Sequence, residues 1–137
     1  MADPLARAGL GTDLLLAPFY EGDSWSTPDL VARPAGLLLA GETRDLDVAA
    51  AGDALRQALL LRLLTPVGSL ADLGHPAYGS RLLELIGQRY SETLRLRARA
   101  YVIEAVAQER RVARIDALDV LAPTPDAPDT LRIRLRV

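Results

Sequence analysis

The longest helical pattern in the sequence is SETLRLRARAYVIEAVAQER, residues 91–110. Ser91 is a typical N-cap residue, because its hydroxyl can accept a hydrogen bond from a free amide of the first turn. Five side chains share one side of the helical wheel, which is the pattern of a helix packed against a core. They are Leu94, Ala98, Tyr101, Val102 and Ala105. The stretch therefore predicts the longest helix of the fold and a large part of its core.

A second apolar stripe runs along the same helix. Leu96 and Ile103 are seven residues apart and fall on nearly the opposite side of the wheel from the core stripe. A second stripe requires a second packing partner, which is either the sheet of the same domain or another subunit. The high apolar content of the sequence, 50%, also points to burial against partners. Both residues are therefore candidates for contact with another subunit.

The segment after the helix predicts a β-hairpin at the carboxyl end of the sequence. Residues 131–137 alternate between apolar residues and arginine, and a period of two is typical of a half-buried strand. Residues 112–121 carry a second β-rich pattern, and a proline-rich connection separates the two. One face has Leu131, Ile133, Leu135 and Val137, and the other has Arg132, Arg134 and Arg136. We expect the apolar face to anchor the strand to the domain.

The arginine face of this strand has two competing interpretations. In one, it pairs with Asp116 or Asp119 across the hairpin, and the solvated face discourages aggregation. In the other, it contacts a recruited partner strand or an acidic partner surface, with main-chain hydrogen bonds of roughly 0.5–1.5 kcal/mol each. Nucleic acid is a weaker alternative, because no aromatic side chain lies on this face for stacking.

Two further helices are predicted before residue 91. Residues 52–64 space leucines four apart, and the helix ends at the following Thr-Pro because the residue before a proline avoids the α region. Ser80 is an N-cap for a short helix that Gly87 closes. Residues 36–49 predict a hairpin that turns at Gly41–Thr43.

These elements predict one compact α+β domain, in which a small β-sheet with a C-terminal β-hairpin packs against about three helices. A length of 137 residues is common for one domain. Short apolar clusters alternate with chain-breaking residues near the amino end. We therefore assign residues 1–28 to an irregular N-terminal arm and residues 29–137 to the domain.

The composition excludes several classes of chemistry. The sequence has no cysteine, one histidine, and no lysine among its 16 basic residues. It therefore has no thiolate nucleophile, multi-histidine zinc site, Schiff-base amine or P-loop lysine. A net charge of -2 gives no global field for nucleic acid or an anionic membrane, and no apolar run is long enough to span a bilayer. We expect no cofactor, no metal, no nucleic acid and no membrane insertion.

The candidate catalytic residues have simpler structural interpretations. His75 lies in a His-Pro turn, and the sequence has no serine in a nucleophile elbow. Glu84, Glu104 and Glu109 lie in or near apolar helices, where burial can raise a carboxyl pKa for general-acid work. Arginines at helical spacing explain Glu84 and Glu104 as solvated ion pairs. These arginines are Arg81 and Arg97. The sequence therefore predicts no enzyme activity.

Two motifs between the helices carry a resemblance to a known family. The sequence reads LRQALLLRLLTPVGS over residues 55–69 and HPAYGSRL over residues 75–82. This pair, Leu-Thr-Pro-x-Gly and then Pro-x-Tyr-Gly, resembles the baseplate wedge family of contractile phage tails, often labelled lysozyme-like. Relatives of that family serve type VI secretion systems and extracellular contractile injection particles. The resemblance covers about residues 29–137, and the family's Glu-Pro-Arg matches Glu109-Arg110-Arg111 without the proline.

The resemblance implies a non-enzymatic structural subunit in a sixfold assembly around the tail hub. Its partners would be other wedge subunits, the sheath protein and the hub or spike, and its last strands would continue the sheath's strand pattern. We expect Glu109 and Arg111 to form a polar joint at the helix-to-strand corner, either internal or to a wedge subunit. The protein is expected to be made in the cytoplasm and then to join a particle, which some such systems release from the cell.

Two alternatives come from other functional classes. A peptidoglycan hydrolase, the lysozyme of a tail, would use Glu84, Glu104 or Glu109 as its acid, although few aromatic residues are present to hold a sugar. A regulatory protein-binding adaptor is the second, because the family's fold is also used by a small adaptor. Wall-degrading activity would identify the first alternative, and a gene without sheath, tube and spike genes beside it would favour the second.

Overall fold

The fold is α+β, as the sequence predicts. The computed structural model describes residues 12–14, 16, 20–21, 24–25, 32–38, 41–46 and 48–137. The chain divides into two compact units, residues 1–58 and 59–137. The predicted boundary between the arm and the domain, at residues 28 and 29, lies outside the described residues and stays a prediction.

The described strands of the first unit are short and pair in antiparallel fashion. They are β1 (Thr12–Leu14), β2 (Tyr20–Glu21), β3 (Ser24–Trp25), β4 (Ala32–Leu38), β5 (Gly41–Leu46) and β6 (Val48–Ala50). β1 pairs with β6, β2 with β3, and β4 with β5. The predicted hairpin is thus present in β4 and β5, but the predicted turn was wrong. Gly41 already pairs with Leu38, so the residues assigned to the turn lie in β5.

Helix α1 (Gly52–Leu64) has the bounds that the sequence predicts. It ends at the residue before Thr65, where the following proline disfavours the α region. Within the first unit, the side-chain amide of Gln57 is hydrogen-bonded to the segment that contains β1. Its Nε2 donates to the Leu14 carbonyl at 2.7 Å, and its Oε1 accepts from the Leu16 amide at 3.0 Å.

Helix α2 (Glu92–Ala107) begins at the predicted N-cap and ends three residues before the predicted end at about residue 110. The Ser91 Oγ accepts a hydrogen bond from the Leu94 amide at 3.1 Å. Beyond the helix, the Glu109 amide donates to the Val106 carbonyl at 2.9 Å, which is the tighter spacing typical of a helix terminus. The chain therefore leaves the helix after Ala107 through one tight turn that includes Glu109.

The short helix predicted after Ser80 is present as a 3-10 helix, Leu82–Leu85. The Ser80 Oγ donates to the Leu63 carbonyl at 2.6 Å and accepts from the Leu82 amide at 3.3 Å. Gly87 follows with a φ of 80°, the left-handed conformation that suits glycine after a helix. The preceding loop contains a second 3-10 turn, Ala71–Leu73.

The remaining strands, β7 (Ala117–Leu121) and β8 (Arg132–Arg136), form the predicted antiparallel hairpin. The core of the second unit lies between α2, the 3-10 helix and this hairpin. The predicted core stripe of α2 is buried except for Tyr101, which is half-buried. Leu131 and Ile133 pack against the core from the β8 side. The buried cluster itself consists of Leu85, Leu94, Ala98 and Val120.

Candidate functional site

The two motifs that carry the family resemblance meet through main-chain hydrogen bonds. The Ser80 amide donates to the Thr65 carbonyl at 2.8 Å, and the Val67 amide donates to the Ser80 carbonyl at 3.0 Å. Pro66 and Ser80 thereby form a parallel β-bridge. Residues far apart in sequence are thus joined where α1 ends.

Gly79 is required by this junction. An added Cβ would lie 2.5 Å from the Thr65 carbonyl oxygen and 2.9 Å from the Pro66 carbonyl carbon, both of which are main-chain atoms. Its φ of 115° also lies in the region that side chains disfavour. The close approach of the main chain therefore explains why this position of the Pro-x-Tyr-Gly motif is a glycine.

The side chain of Arg62 connects the junction to the end of α2. Its guanidinium carbon lies 4.4 Å from the centre of the Tyr78 ring. Its Nη1 donates to Gln108 Oε1 at 3.1 Å, and its Nη2 lies 3.8 Å from Glu109 Oε2. The Arg62 side chain is only 13% exposed. An arginine fits here because its flat guanidinium can stack on a ring while its edges hydrogen-bond.

Glu109 and Arg111 form the predicted contact at the helix-to-strand corner. Arg111 Nε lies 2.7 Å from Glu109 Oε1, and Arg111 Nη2 donates to Oε2 at 3.1 Å. The Glu109 side chain is 10% exposed, so this paired carboxylate is largely removed from water. We call these contacting residues the corner cluster, which consists of Arg62, Tyr78, Gln108, Glu109 and Arg111.

The corner cluster keeps Glu109 ionised. Hydrogen bonds from Arg111 hold the pKa of the Glu109 carboxyl below its ordinary value, and the charge of Arg62 acts in the same direction. A general acid needs the opposite shift, because it must carry a proton near neutral pH. The geometry is that of a structural ion-pair network.

The other two candidate acids lie in different surroundings. Glu84 makes a two-pronged contact with Arg81, with Oε1 and Nε 3.0 Å apart and Oε2 and Nη2 2.9 Å apart, and these bonds lower the pKa of Glu84. The predicted pair of Glu104 with Arg97 was wrong, because no such ion pair occurs among residues 51–137. Glu104 instead lines a small depression beside Tyr101.

The arginine face of β8, which we define as Arg132, Arg134 and Arg136, is exposed. The register places Asp119 directly opposite Arg134, yet no salt bridge forms between their side chains. Asp116 pairs with Arg114 instead, with Oδ1 and Nε 2.6 Å apart. The predicted cross-hairpin pairing is therefore not made. Within the described part of the chain, the three guanidinium groups make no salt bridge.

Among the described residues, no strand pairs with the second edge of β8. The Arg136 carbonyl accepts from the Asp116 amide at 2.8 Å, so the main-chain groups of Arg136 face β7. These groups alternate in direction along a strand, so those of Ile133 and Leu135 face away from β7. Among the described strands, β8 pairs with β7 alone. We call the outward N–H and C=O groups of Ile133 and Leu135 the open edge.

The second apolar stripe of α2 remains at the surface. Leu96 is 54% exposed and Ile103 is 41% exposed. The sheet therefore does not cover this stripe, which leaves a contact with another subunit as the interpretation from sequence. That contact stays a prediction.

The described residues contain no cluster of histidine, aspartate and glutamate that would hold a metal ion. His75 lies in a turn, where its carbonyl accepts from the Tyr78 amide at 3.2 Å. No described helix is long and apolar enough to cross a lipid bilayer.

Sequence reasoning found Glu109 and Arg111 but missed the side chains that join them to the motifs. Arg62 and Gln108 are 46 residues apart, and no spacing rule connects them. Tyr78 lies in the motif that carries the resemblance, but no pattern in the sequence indicates that Arg62 stacks on its ring. A scan against models of protein families finds no match for this sequence, and a search of curated proteins finds no relative.

Proposed function

We propose that this protein is a non-enzymatic structural subunit in the baseplate of a contractile, phage tail-like injection machine. It joins wedge proteins and the tail hub to the first sheath ring, and its C-terminal strands make the attachment. The proposal combines the family resemblance of the sequence with the geometry of the second unit. Other wedge subunits, the sheath protein and the hub or spike are the proposed partners, in a sixfold assembly.

The observation that carries the proposal is the open edge of β8. The apolar side of the strand is held by the core through Leu131 and Ile133, so the strand is positioned by its own domain. Its outward N–H and C=O groups are therefore preorganised for an incoming strand. Four such groups, two from Ile133 and two from Leu135, contribute roughly 0.5–1.5 kcal/mol for each hydrogen bond made.

The corner cluster supports the proposal as a rigid mount for the hairpin. Glu109 lies between α2 and β7 in sequence, and its carboxylate binds Arg111 while it also approaches Arg62 of α1. This arrangement fixes the direction in which the chain leaves α2 towards the hairpin. A mechanical connector requires such a fixed angle between its body and its attachment strand.

A hydrolase receives less support from the same residues. Glu84 and Glu109 both have lowered pKa values, and hydrogen bonds from arginine are the main cause for each. A glycosidase needs a carboxylic acid with a raised pKa beside a second carboxylate. The depression beside Glu104 is small and holds no second carboxylate among the residues that line it.

The test replaces one outward amide without altering the ladder to β7. Leu135→Pro removes an N–H of the open edge, and proline is tolerated where that group faces away from the sheet. Leu135→Val is the matched control. Valine, like proline, is smaller than leucine, but it keeps the main-chain amide. Each variant replaces the wild-type gene in the producing cell, and particles are examined by electron microscopy.

We expect Leu135→Val to yield particles with an extended sheath and Leu135→Pro to yield baseplates without sheath. Purified Leu135→Pro protein must retain the wild-type circular dichroism spectrum. Normal sheathed particles in the proline variant would overturn the attachment role. Wall-degrading activity that Glu84→Gln, Glu104→Gln or Glu109→Gln abolishes would overturn the non-enzymatic assignment.

A further inference from the structure

The hairpin surface that borders the open edge carries an unbalanced charge. Residues that pair directly across a β-ladder share one face, so Asp119 lies on the same face as Arg134. Arg132 and Arg136 lie on this face too, because they are two residues to either side of Arg134. Three guanidinium groups thus stand beside one carboxylate, at the edge where a new strand would pair.

We infer that the arginine face selects the strand that pairs with β8, favouring a strand with carboxylates at every second position and rejecting a second copy of this chain. The inference rests on the proposed function and goes further, because it states the chemistry of the partner. The partner is an extended, acidic protein segment.

Charge complementarity follows from the position of the open edge. A strand hydrogen-bonded to Ile133 and Leu135 places every second side chain on the face of Arg132, Arg134 and Arg136. Directly opposed side chains in adjacent strands have Cβ atoms about 4.5–5.5 Å apart. Aspartate or glutamate at those positions lies within ion-pair distance of the arginines, whereas lysine or arginine is repelled.

The same geometry opposes self-association through β8. Two copies paired antiparallel about a twofold axis perpendicular to the sheet keep their arginine faces on the same side. Arg134 then lies opposite Arg134 of the second copy, and Arg132 lies opposite Arg136. Like charges directly opposite each other destabilise a ladder, and natural proteins protect exposed strand edges in this way. The arginine face therefore makes the edge selective.

The test uses two blocked heptapeptides as probes and the whole protein as the receptor. In the first peptide glutamate alternates with threonine, and in the second lysine replaces every glutamate. Binding is followed by the NMR amide shifts of Ile133 and Leu135 at low salt and at high salt. The variant combines Arg132→Gln, Arg134→Gln and Arg136→Gln, which keeps long polar side chains and removes the charge.

We expect the glutamate peptide to shift both amides and to bind at least about tenfold more tightly than the lysine peptide at low salt. The preference should shrink at high salt and disappear in the triple variant. Sedimentation should also show that the triple variant self-associates at concentrations where the wild type is a monomer.

Equal binding of the two peptides, no binding of the glutamate peptide, or a preference that survives in the triple variant would overturn the inference. The particle experiment with Leu135→Pro separates this failure from that of the proposed function. Loss of sheath in that variant would support attachment through the strand. Equal binding of the two peptides would then contradict only the selection by charge.

Discussion

The guanidinium carbon of Arg62 lies 4.4 Å from the centre of the Tyr78 ring, so α1 contacts the loop that carries the second motif. The same guanidinium reaches Gln108 and approaches Glu109 at the end of α2. One side chain of α1 thus contacts two other segments of the second unit. Lysine could supply the charge but not the flat surface and the several donors, so arginine is the residue that this position requires.

Gly79→Ala should destabilise the protein by about 2 kcal/mol or more, because a Cβ would overlap the main chain of Thr65 and Pro66. Gly74→Ala is the matched control. Gly74 also has a positive φ, 85°, but its Cβ would meet no atom within 4 Å. It should therefore cost only the conformational penalty, about 1 kcal/mol. Urea unfolding measures the loss in free energy of unfolding for both variants. Equal losses would show that the close main-chain approach at Gly79 adds no cost.

Glu109→Gln should destabilise the protein by about 2 kcal/mol, because it leaves the largely buried guanidinium of Arg62 without its carboxylate. Glu84→Gln is the control. It also removes a carboxylate from an arginine pair, but Glu84 is half exposed and its pair is screened by water, so its loss should cost clearly less than the loss of Glu109. Chemical denaturation at pH 7 measures the stability of both variants. A Glu109→Gln protein as stable as the wild type would contradict a structural role for the corner cluster.

Stability should fall in acid through the titration of Glu109. The folded protein holds the pKa of Glu109 below its ordinary value of 4.5, so the folded state binds the proton less readily than the unfolded state. The stabilisation is therefore complete above pH 4.5 and is lost as the pH falls through the lower, folded value. The urea midpoint measured from pH 7 to pH 3 should drop less in Glu109→Gln than in the wild type. Parallel curves for the two proteins would assign the acid sensitivity to other groups.

Leu96→Glu and Ile103→Glu should leave stability within about 0.5 kcal/mol of the wild type, because both side chains are exposed on α2. On the proposed function, we expect both variants to enter baseplates poorly, since a charge would interrupt the proposed apolar contact with a neighbouring subunit. Arg97→Glu, at an exposed position on another side of the helix, is the control. Incorporation is measured by quantitative mass spectrometry of purified particles, and wild-type levels of both variants would remove these residues from the interface.

The helices and the C-terminal hairpin were predictable because their signals are local. The spacing of leucines and the Thr-Pro step set both ends of α1, and the Ser91 hydroxyl marked the start of α2. The alternation in residues 131–137 identified β8 and its two faces. The short helix after Ser80 was predicted too, but the hydrogen bond from the Ser80 hydroxyl to the Leu63 carbonyl was not, because it joins residues 17 positions apart.

By itself the sequence determined the periodic elements, the arginine face and the absence of lysine and cysteine chemistry, since each depends only on residue type and spacing. Only the tertiary structure decided that Asp119 stands opposite Arg134 without an ion pair and that the main-chain groups of Ile133 face away from β7. It also decided that Arg62, Tyr78 and Glu109 meet. The physical reason is that contacts between distant residues, and the ion pairs that they do or do not make, follow from how separate segments pack, which no local pattern encodes.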